Sequence, residues 1–336
     1  MKYQQPTPWQ GPVDWAAAPL HDPLETVRPE LERVKAIFCE QFKSDQLPQV
    51  VFTTVDYVLS QPGKMMRPGL VLLSGLACGP LTRNHYVAGA ILELIHNATL
   101  LHDDVIDRSD LRRGRVTANA HWGDLSAVLL GDVLLSVAID MCVNLPPEAM
   151  RQVTAISRQV CMGELHQTLR FRHWELELQE YLNIITDKTA SFFQGACRIG
   201  AQLSQADARQ VKALSEYGLC IGVAFQIRDD ILDVCGEQDQ TGKPVGGDIR
   251  QERPTLPVLH YLDRFPEKRS DILKEAQSLD KSDWVKVLEQ SGSLDYARQL
   301  GQTYVDQALA CLKGFKETEA YEVLTGIAHF TIERMA

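Results

Sequence analysis

Strand-like alternation is almost missing from this 336-residue chain. Apolar runs are long and β-branched residues seldom alternate with polar ones, which argues against a sheet and for helices. An excess of basic residues is missing too: 34 lysines and arginines stand against 44 aspartates and glutamates, a formal net charge of −10. Nucleic-acid binding, which draws on a basic patch, is thereby disfavoured. The eight cysteines, at 39, 78, 142, 161, 197, 220, 235 and 311, form no CxxC pair, and several fall inside apolar helical runs. They read as reduced core residues and not as a disulfide or zinc framework. The N-terminus has no apolar signal core, and no run reaches the ~18 residues of a membrane span, so a soluble, cytoplasmic protein is expected. Low-complexity segments are lacking as well.

What is present is an apolar content of 45% and a charged content of 23%, ordinary for a globular protein with a sizeable core. Residues 1–23 are proline-rich and aperiodic and read as an irregular arm. Residues 24–336 read as a single all-α domain without an internal linker. Helical spacing predicts two helices between Leu24 and Leu59, broken near Pro48, and a helix over 69–77 with Pro68 at its start. A central helix follows from about Asn84. Further helices are predicted over 125–142, capped by Asp124, and over 148–173, 176–203 and 207–235. The stretch from Gly236 to Pro254 is a polar loop, and shorter helices complete the chain.

The central helix ends in Asp103-Asp104-x-x-Asp107. At 3.6 residues per turn Asp103 and Asp107 lie one above the other, with Asp104 beside them. Two carboxylates about 4 Å apart repel by roughly 4 kcal/mol at an effective dielectric near 20, and helix C-termini disfavour anions. A hard divalent cation such as Mg²⁺ is the economical remedy. One such turn is as easily a solvated acidic helix end. Asp229-Asp230-x-x-Asp233, however, repeats the spacing at the end of a second apolar helix. If the two helices are neighbours, six carboxylates meet across a cavity that only several divalent ions make tolerable.

The basic residues are placed to match. Lys64 with Arg67, Arg112 with Arg113, Lys188 and Lys243 stand at loops or helix ends, and guanidinium forks suit phosphate oxygens. Singly each reads as a surface charge. Together they point to two phosphate sites, one held through metals and one held by basic side chains alone.

In this order the motifs resemble the trans-isoprenyl diphosphate synthases of the polyprenyl synthetase family. The resemblance covers about residues 30–330 and rests on Gly63-Lys64-Met-Met-Arg67-Pro68, Glu93-Leu-Ile-His96, Leu-Leu-His-Asp103-Asp104-Val-Ile-Asp107, Arg112-Arg113-Gly114, Asp187-Lys188-Thr189-Ala190, Phe225-Gln226-Ile-Arg-Asp229-Asp230-Ile-Leu-Asp233 and Gly242-Lys243. It implies a bundle of about ten or more helices around a deep central cavity, usually in a homodimer. It further implies that Asp103, Asp104, Asp107, Asp229, Asp230 and Asp233 hold Mg²⁺, three ions per active site, on the diphosphate of an allylic substrate. Arg112, Lys188, Thr189, Gln226 and Lys243 would touch that diphosphate, Lys188 being counted with the catalytic residues. Lys64, Arg67, His96 and Arg113 would bind isopentenyl diphosphate. Read without the resemblance, His96 is as easily a packed core histidine; His102 and Trp122 are expected to serve packing.

One departure stands out. Where the family often has a Gly-Lys pair after the polar loop, this chain has Glu252-Arg253, and a fork is not an ammonium, so Arg253 is left out of the expected site. Product length is read from Ala98, five positions before Asp103, and Thr99: both are small where short-chain members often carry an aromatic floor. The first acidic motif also lacks the two-residue insertion of many bacterial short-chain enzymes. A medium or long product is expected, unless Ile91, Leu94 or Ile95 closes the tunnel earlier. The alternatives are a class I terpene cyclase, against which Lys64, Arg67 and the second aspartate motif speak, and a subunit of a heteromeric synthase.

Overall fold

Proline and apolar spacing set the first helices. In the computed structural model, which describes residues 23–43, 47–60, 63–170, 174–235, 252–271, 274 and 281–333, α1 (Arg28–Cys39) carries Pro29 in its first turn and buries Leu31, Val34 and Phe38. Helix α2 (Gln49–Leu59) starts directly after Pro48, so the break falls where the sequence places it. Helix α3 (Met66–Leu76) starts three residues earlier than expected. Pro68 is still within its first turn, where a missing N–H costs nothing. The expected arm and the polar loop at 236–251, with Lys243 in it, lie outside the described residues.

Helix α4 (Arg83–Ile106) is the central rod, about 36 Å long at 1.5 Å per residue. Its N-terminus is tied down by His85, whose Nδ1 accepts from the Thr82 amide at 3.0 Å while Nε2 donates to the Gly200 carbonyl at 3.1 Å. Below its aspartates the rod is apolar nearly all round, with Ile91, Leu92, Leu94, Ile95 and Ala98 buried. It packs against α1, α3, α6 (Asp124–Cys142) and α9 (Ser191–Leu203).

After α4 comes a short ribbon that the sequence reading missed, β1 (Leu111–Arg112) paired antiparallel with β2 (Arg115–Val116). Its two-residue loop is Arg113-Gly114, with φ of 52° and 72°, the doubly positive geometry of a tight hairpin turn. Helix α5 (Ala118–Trp122) follows, and Trp122 packs edge-on against Tyr57. Asp124 is the first residue of α6 and not its side-chain cap; Gly123 holds the N-cap position. The expectation on membrane spans also needs correction. Helix α6, 19 residues with a mean hydropathy of 2.0, is long and apolar enough to cross a membrane. One of its faces packs on α4, while Leu125, Leu129 and Ile139 are exposed.

Helix α7 (Pro147–Leu169) leads to the region expected as one helix over 176–203. It is two, α8 (Leu178–Ile185) and α9, joined by a π-helical turn over Thr186–Ala190. Such wide turns recur at functional sites, and this one holds Asp187-Lys188-Thr189. Helix α7 meets it at Gly163, where a Cβ would lie 2.5 Å from the Lys188 nitrogen. Helix α10 (Ala208–Cys235) crosses the same turn at Gly222, where a Cβ would lie 2.5 Å from the Ala190 Cα. Only glycine permits either approach. The chain then runs through α11 (Leu256–Arg264), α12 (Lys281–Gln290), α13 (Ser293–Leu312) and α14 (Glu319–Glu333).

Two apolar clusters support these helices. The larger gathers α1 to α7, α9, the N-terminal part of α10, the C-terminal part of α13 and α14. The smaller lies under the C-terminal part of α10, with Ile227, Ile231 and Val234 packed among α8, α11, α12 and α13. None of the eight cysteines is in a disulfide. Cys142, Cys197 and Cys220 are buried as expected, but Cys39 and Cys161 are exposed.

Candidate active site

Helices α4 and α10 bring their acidic ends to one cavity of about 1000 Å³. Asp103 and Asp107 line it from one side, and Asp229, Asp230 and Asp233 from the other. Asp104 is turned away from the lining and buried, its Oδ1 accepting from Arg112 Nε at 2.7 Å. Among the described residues no three acidic, imidazole or thiol groups converge on one point. Chain cations draw the first three carboxylates apart: Arg112 on Asp104, Lys188 at 3.9 Å from Asp103, and Arg253 paired with Asp107.

The second motif is held by hydrogen bonds. Asp230 accepts from the Tyr181 hydroxyl at 2.6 Å, the Leu256 amide at 3.0 Å and the Gln226 amide at 3.0 Å. Gln226 accepts in turn from the Thr189 hydroxyl at 2.8 Å, so the π turn and α10 are joined at the cavity wall. Asp229 accepts from Arg228 at 2.9 Å, and that guanidinium lies 4.1 Å over the Phe225 ring. Lys188 donates to Gln167 at 2.8 Å and pairs with Glu164.

Lys64, Arg67, His96 and Arg113 line the same cavity. The Arg67 guanidinium rests over Phe192 at 5.0 Å and Phe193 at 5.5 Å, and burial pushes its pKa down to about 10. Burial, reinforced by Arg67, Arg113 and Arg112, holds His96 well below the ordinary imidazole range. His96 is therefore neutral at pH 7, a hydrogen-bonding group and not a further cation. Lys64 lies 5.2 Å over the Phe330 ring, which brings the C-terminal helix to this lysine.

Thr99 lines the cavity, whereas Ala98 is fully buried and does not. The apolar part of the lining includes Leu100, Val160, Phe192 and Phe193. His102 sits on the lining as well, its ring 3.2 Å from the Val128 carbonyl. Sequence reasoning missed Glu164 and Gln167 of α7, Tyr181 and Phe330, which carry no motif of their own. Arg253 was set aside on chemical grounds, yet it lines the cavity.

Residues 48–291 match the family described as polyprenyl synthetase. The chain belongs to that family. It is a prenyltransferase with the all-α fold of the isoprenyl diphosphate synthases. Among its relatives, the octaprenyl diphosphate synthase of Escherichia coli K12 is 34% identical over 316 residues, covering 92% of this chain and 97% of the relative. The short chain isoprenyl diphosphate synthase of Methanothermobacter thermautotrophicus is 33% identical over 300 residues, covering 87% and 92%. The crystal structure of a polyprenyl synthase from Caulobacter crescentus CB15, complexed with calcium and isoprenyl diphosphate, superposes with a TM-score of 0.86 at 31% identity, covering 94% of this chain and 98% of that one.

Proposed function

We propose that this polyprenyl synthetase joins an allylic diphosphate to isopentenyl diphosphate and repeats the step to a medium or long all-trans product. The observation that carries the reading is the shared cavity, whose one lining holds carboxylates from two helices, a set of cations with a neutral histidine, and apolar side chains. An oxygen-only donor set of this kind fits Mg²⁺, three ions in this reading, with Asp103, Asp107, Asp229, Asp230 and Asp233 on the lining as ligands, and with Asp104 joining them once it leaves Arg112. Bound there, Mg²⁺ supplies Lewis-acid neutralisation of a leaving diphosphate.

The chain's own groups do the rest. Arg112, Lys188, Thr189, Gln226 and Arg253 bind the oxygens of the allylic diphosphate, as does Lys243 in this reading, and take up charge as the C–O bond breaks. Lys64, Arg67, Arg113 and neutral His96 hold isopentenyl diphosphate so that its double bond faces the allylic cation. Phe192, Phe193, Val160 and Leu100 keep water from that cation. The proton lost after attack goes to the departing diphosphate. Thr99, a small side chain on the lining, leaves room for the growing tail, with Ala98 behind it.

Residues 24–336 act as one synthase domain in this reading. The exposed apolar residues of α6 and α7, namely Leu125, Leu129, Ile139, Met162, Leu165 and Leu169, support a homodimer, because a monomer seldom leaves such a surface in water. A dimer that buries this face of α6 and keeps its cysteines as thiols suits the cytoplasm.

The test is incubation of the purified chain with Mg²⁺, labelled isopentenyl diphosphate and allylic primers of several lengths, followed by sizing of the dephosphorylated products. Expected are labelled chains longer than a single addition, and a loss of about 10²-fold or more in kcat/KM for Asp103→Asn and for Asp229→Asn. Cyclic hydrocarbons without label would make it a cyclase. No turnover with any primer would leave the partner-subunit reading.

A further inference from the structure

Glu93 is a buried carboxylate with no part in the chemistry above. It stands on α4 ten residues before Asp103, about 15 Å along the helix at 1.5 Å per residue, too far to share an ion with the aspartates. It lines the cavity with Lys64, Arg67, His96 and Arg113. Only 5% of it is exposed, and its Oε2 is shut off from solvent without a hydrogen-bond partner. Arg67 Nε in the same cavity is buried and unpartnered too.

A buried carboxylate costs several kcal/mol unless opposite charge compensates it. The charges that do so here are identifiable: Arg67 and Arg113 favour the ionised form of Glu93, and Glu93 favours the charged form of both. Arg113 lowers the pKa of Arg67, and Arg112 lowers that of Arg113. Without Glu93 the two cations would stand in the cavity without a shared counter-charge. Glu93 makes no ion pair or hydrogen bond to either guanidinium, so its charge acts across the cavity and leaves their N–H donors to phosphate oxygens. The aromatic floor of Phe192 and Phe193 under Arg67 fixes the plane of its fork.

We propose that Glu93 is a positioning residue of the isopentenyl diphosphate site, the buried counter-charge that keeps the Arg67 and Arg113 guanidiniums in one cavity with their N–H groups open to one diphosphate. It touches neither the substrate nor the reacting carbons. The inference rests on the function proposed above and deepens it: the site is a preset pair of forks with an internal counter-charge, and it selects a diphosphate presented without metal.

The experiment compares wild type with Glu93→Gln, which keeps the shape and removes the charge. Calorimetry reads isopentenyl diphosphate binding, steady-state kinetics read KM for both substrates, and near-UV circular dichroism reads the fold. Expected is binding of isopentenyl diphosphate weakened about tenfold or more, the scale of a charge-assisted hydrogen bond, with KM for the allylic substrate within about twofold of wild type. A role in packing alone would move both substrates together, and that result overturns the inference. So does E93Q binding isopentenyl diphosphate as well as wild type or better, since Glu93 would then merely oppose the ligand's charge. Should E93Q lose its fold, Glu93→Asp carries the test: its carboxylate is withdrawn by one methylene, and unweakened binding overturns the proposal. If wild type itself does not bind isopentenyl diphosphate, the functional reading fails first. If wild type binds and E93Q is unchanged, only the role of Glu93 falls.

Discussion

Arg113 occupies a backbone conformation that suits asparagine or glycine better than arginine. At φ 52° it opens the hairpin loop completed by Gly114, where a side chain with a Cβ is strained by about 1–2 kcal/mol. Met65, between Lys64 and Arg67, is left-handed as well, and so is Glu252 beside Arg253. Strain therefore gathers next to the cations that line the cavity. Arg113→Asn is expected to leave thermal stability undiminished, because the relief at the turn offsets the lost attraction to Glu93, while KM for isopentenyl diphosphate rises about tenfold or more. Thermal denaturation read beside steady-state kinetics checks both halves. At this scale the motifs were legible one by one, since a cation or carboxylate in an apolar run is conspicuous. Glu164, Gln167 and Tyr181 were not, because each lies in unremarkable helical sequence and reaches the cavity only through the packing of α7 and α8 on the π turn. Arg253 was visible but discounted, and its pairing with Asp107 shows that a guanidinium can occupy that place.

Among the elements, the π turn depends on the flatness of its neighbour. A Cβ on residue 163 would fall 2.5 Å from the Lys188 nitrogen, so Gly163→Ala is expected to displace Lys188 from Gln167 and Asp103. Overpacking of this kind costs about 1–3 kcal/mol, and kcat should fall with little change in KM for isopentenyl diphosphate, whose site lies elsewhere in the cavity. Steady-state rates with each substrate varied in turn would show the split. The helix break itself could not be read from 176–203, because Thr186–Ala190 holds no proline or glycine to mark it, and only tertiary contact widens the turn. The start of α4 leads to a pH dependence. His85 Nδ1 accepts from the Thr82 amide, so a proton there removes a cap, and burial lowers the pKa of the ring below 6.5. The unfolded chain then binds the proton first, and stability is lost as pH falls below about 6.5. His96 and His260, also lowered mainly by burial, act in the same direction. Glu93 and Glu164, raised by burial, oppose it at lower pH. Between about pH 7.5 and about pH 5.5 the melting temperature should drop, and His85→Gln, whose amide accepts without titrating, should flatten that slope.

For the whole molecule, the proposed dimer rests on the exposed apolar side of α6. Leu129 is 54% exposed and Ile139 69% exposed on a helix that is otherwise packed against α4. Leu129→Glu is expected to convert a dimer into a monomer in sedimentation velocity, with the helical circular dichroism unchanged; a wild-type chain that already sediments as a monomer would refute the dimer. The all-α architecture was legible from the near absence of alternation, and the meeting of the two acidic helices from their repeated spacing. What the sequence could not reveal was that Asp104 turns inward to Arg112, since a motif fixes which residues share a turn and not which side of the rod faces the hollow. Nor did composition show that the helices rest on two apolar clusters. The seam between those clusters runs through α13 and through α10, whose N-terminal part belongs to the larger and whose aspartate-bearing end belongs to the smaller. A ligand that bridges Asp103 to Asp229 would therefore tie the rod of one cluster to the rod of the other, and loading the cavity should raise the melting temperature of the whole fold.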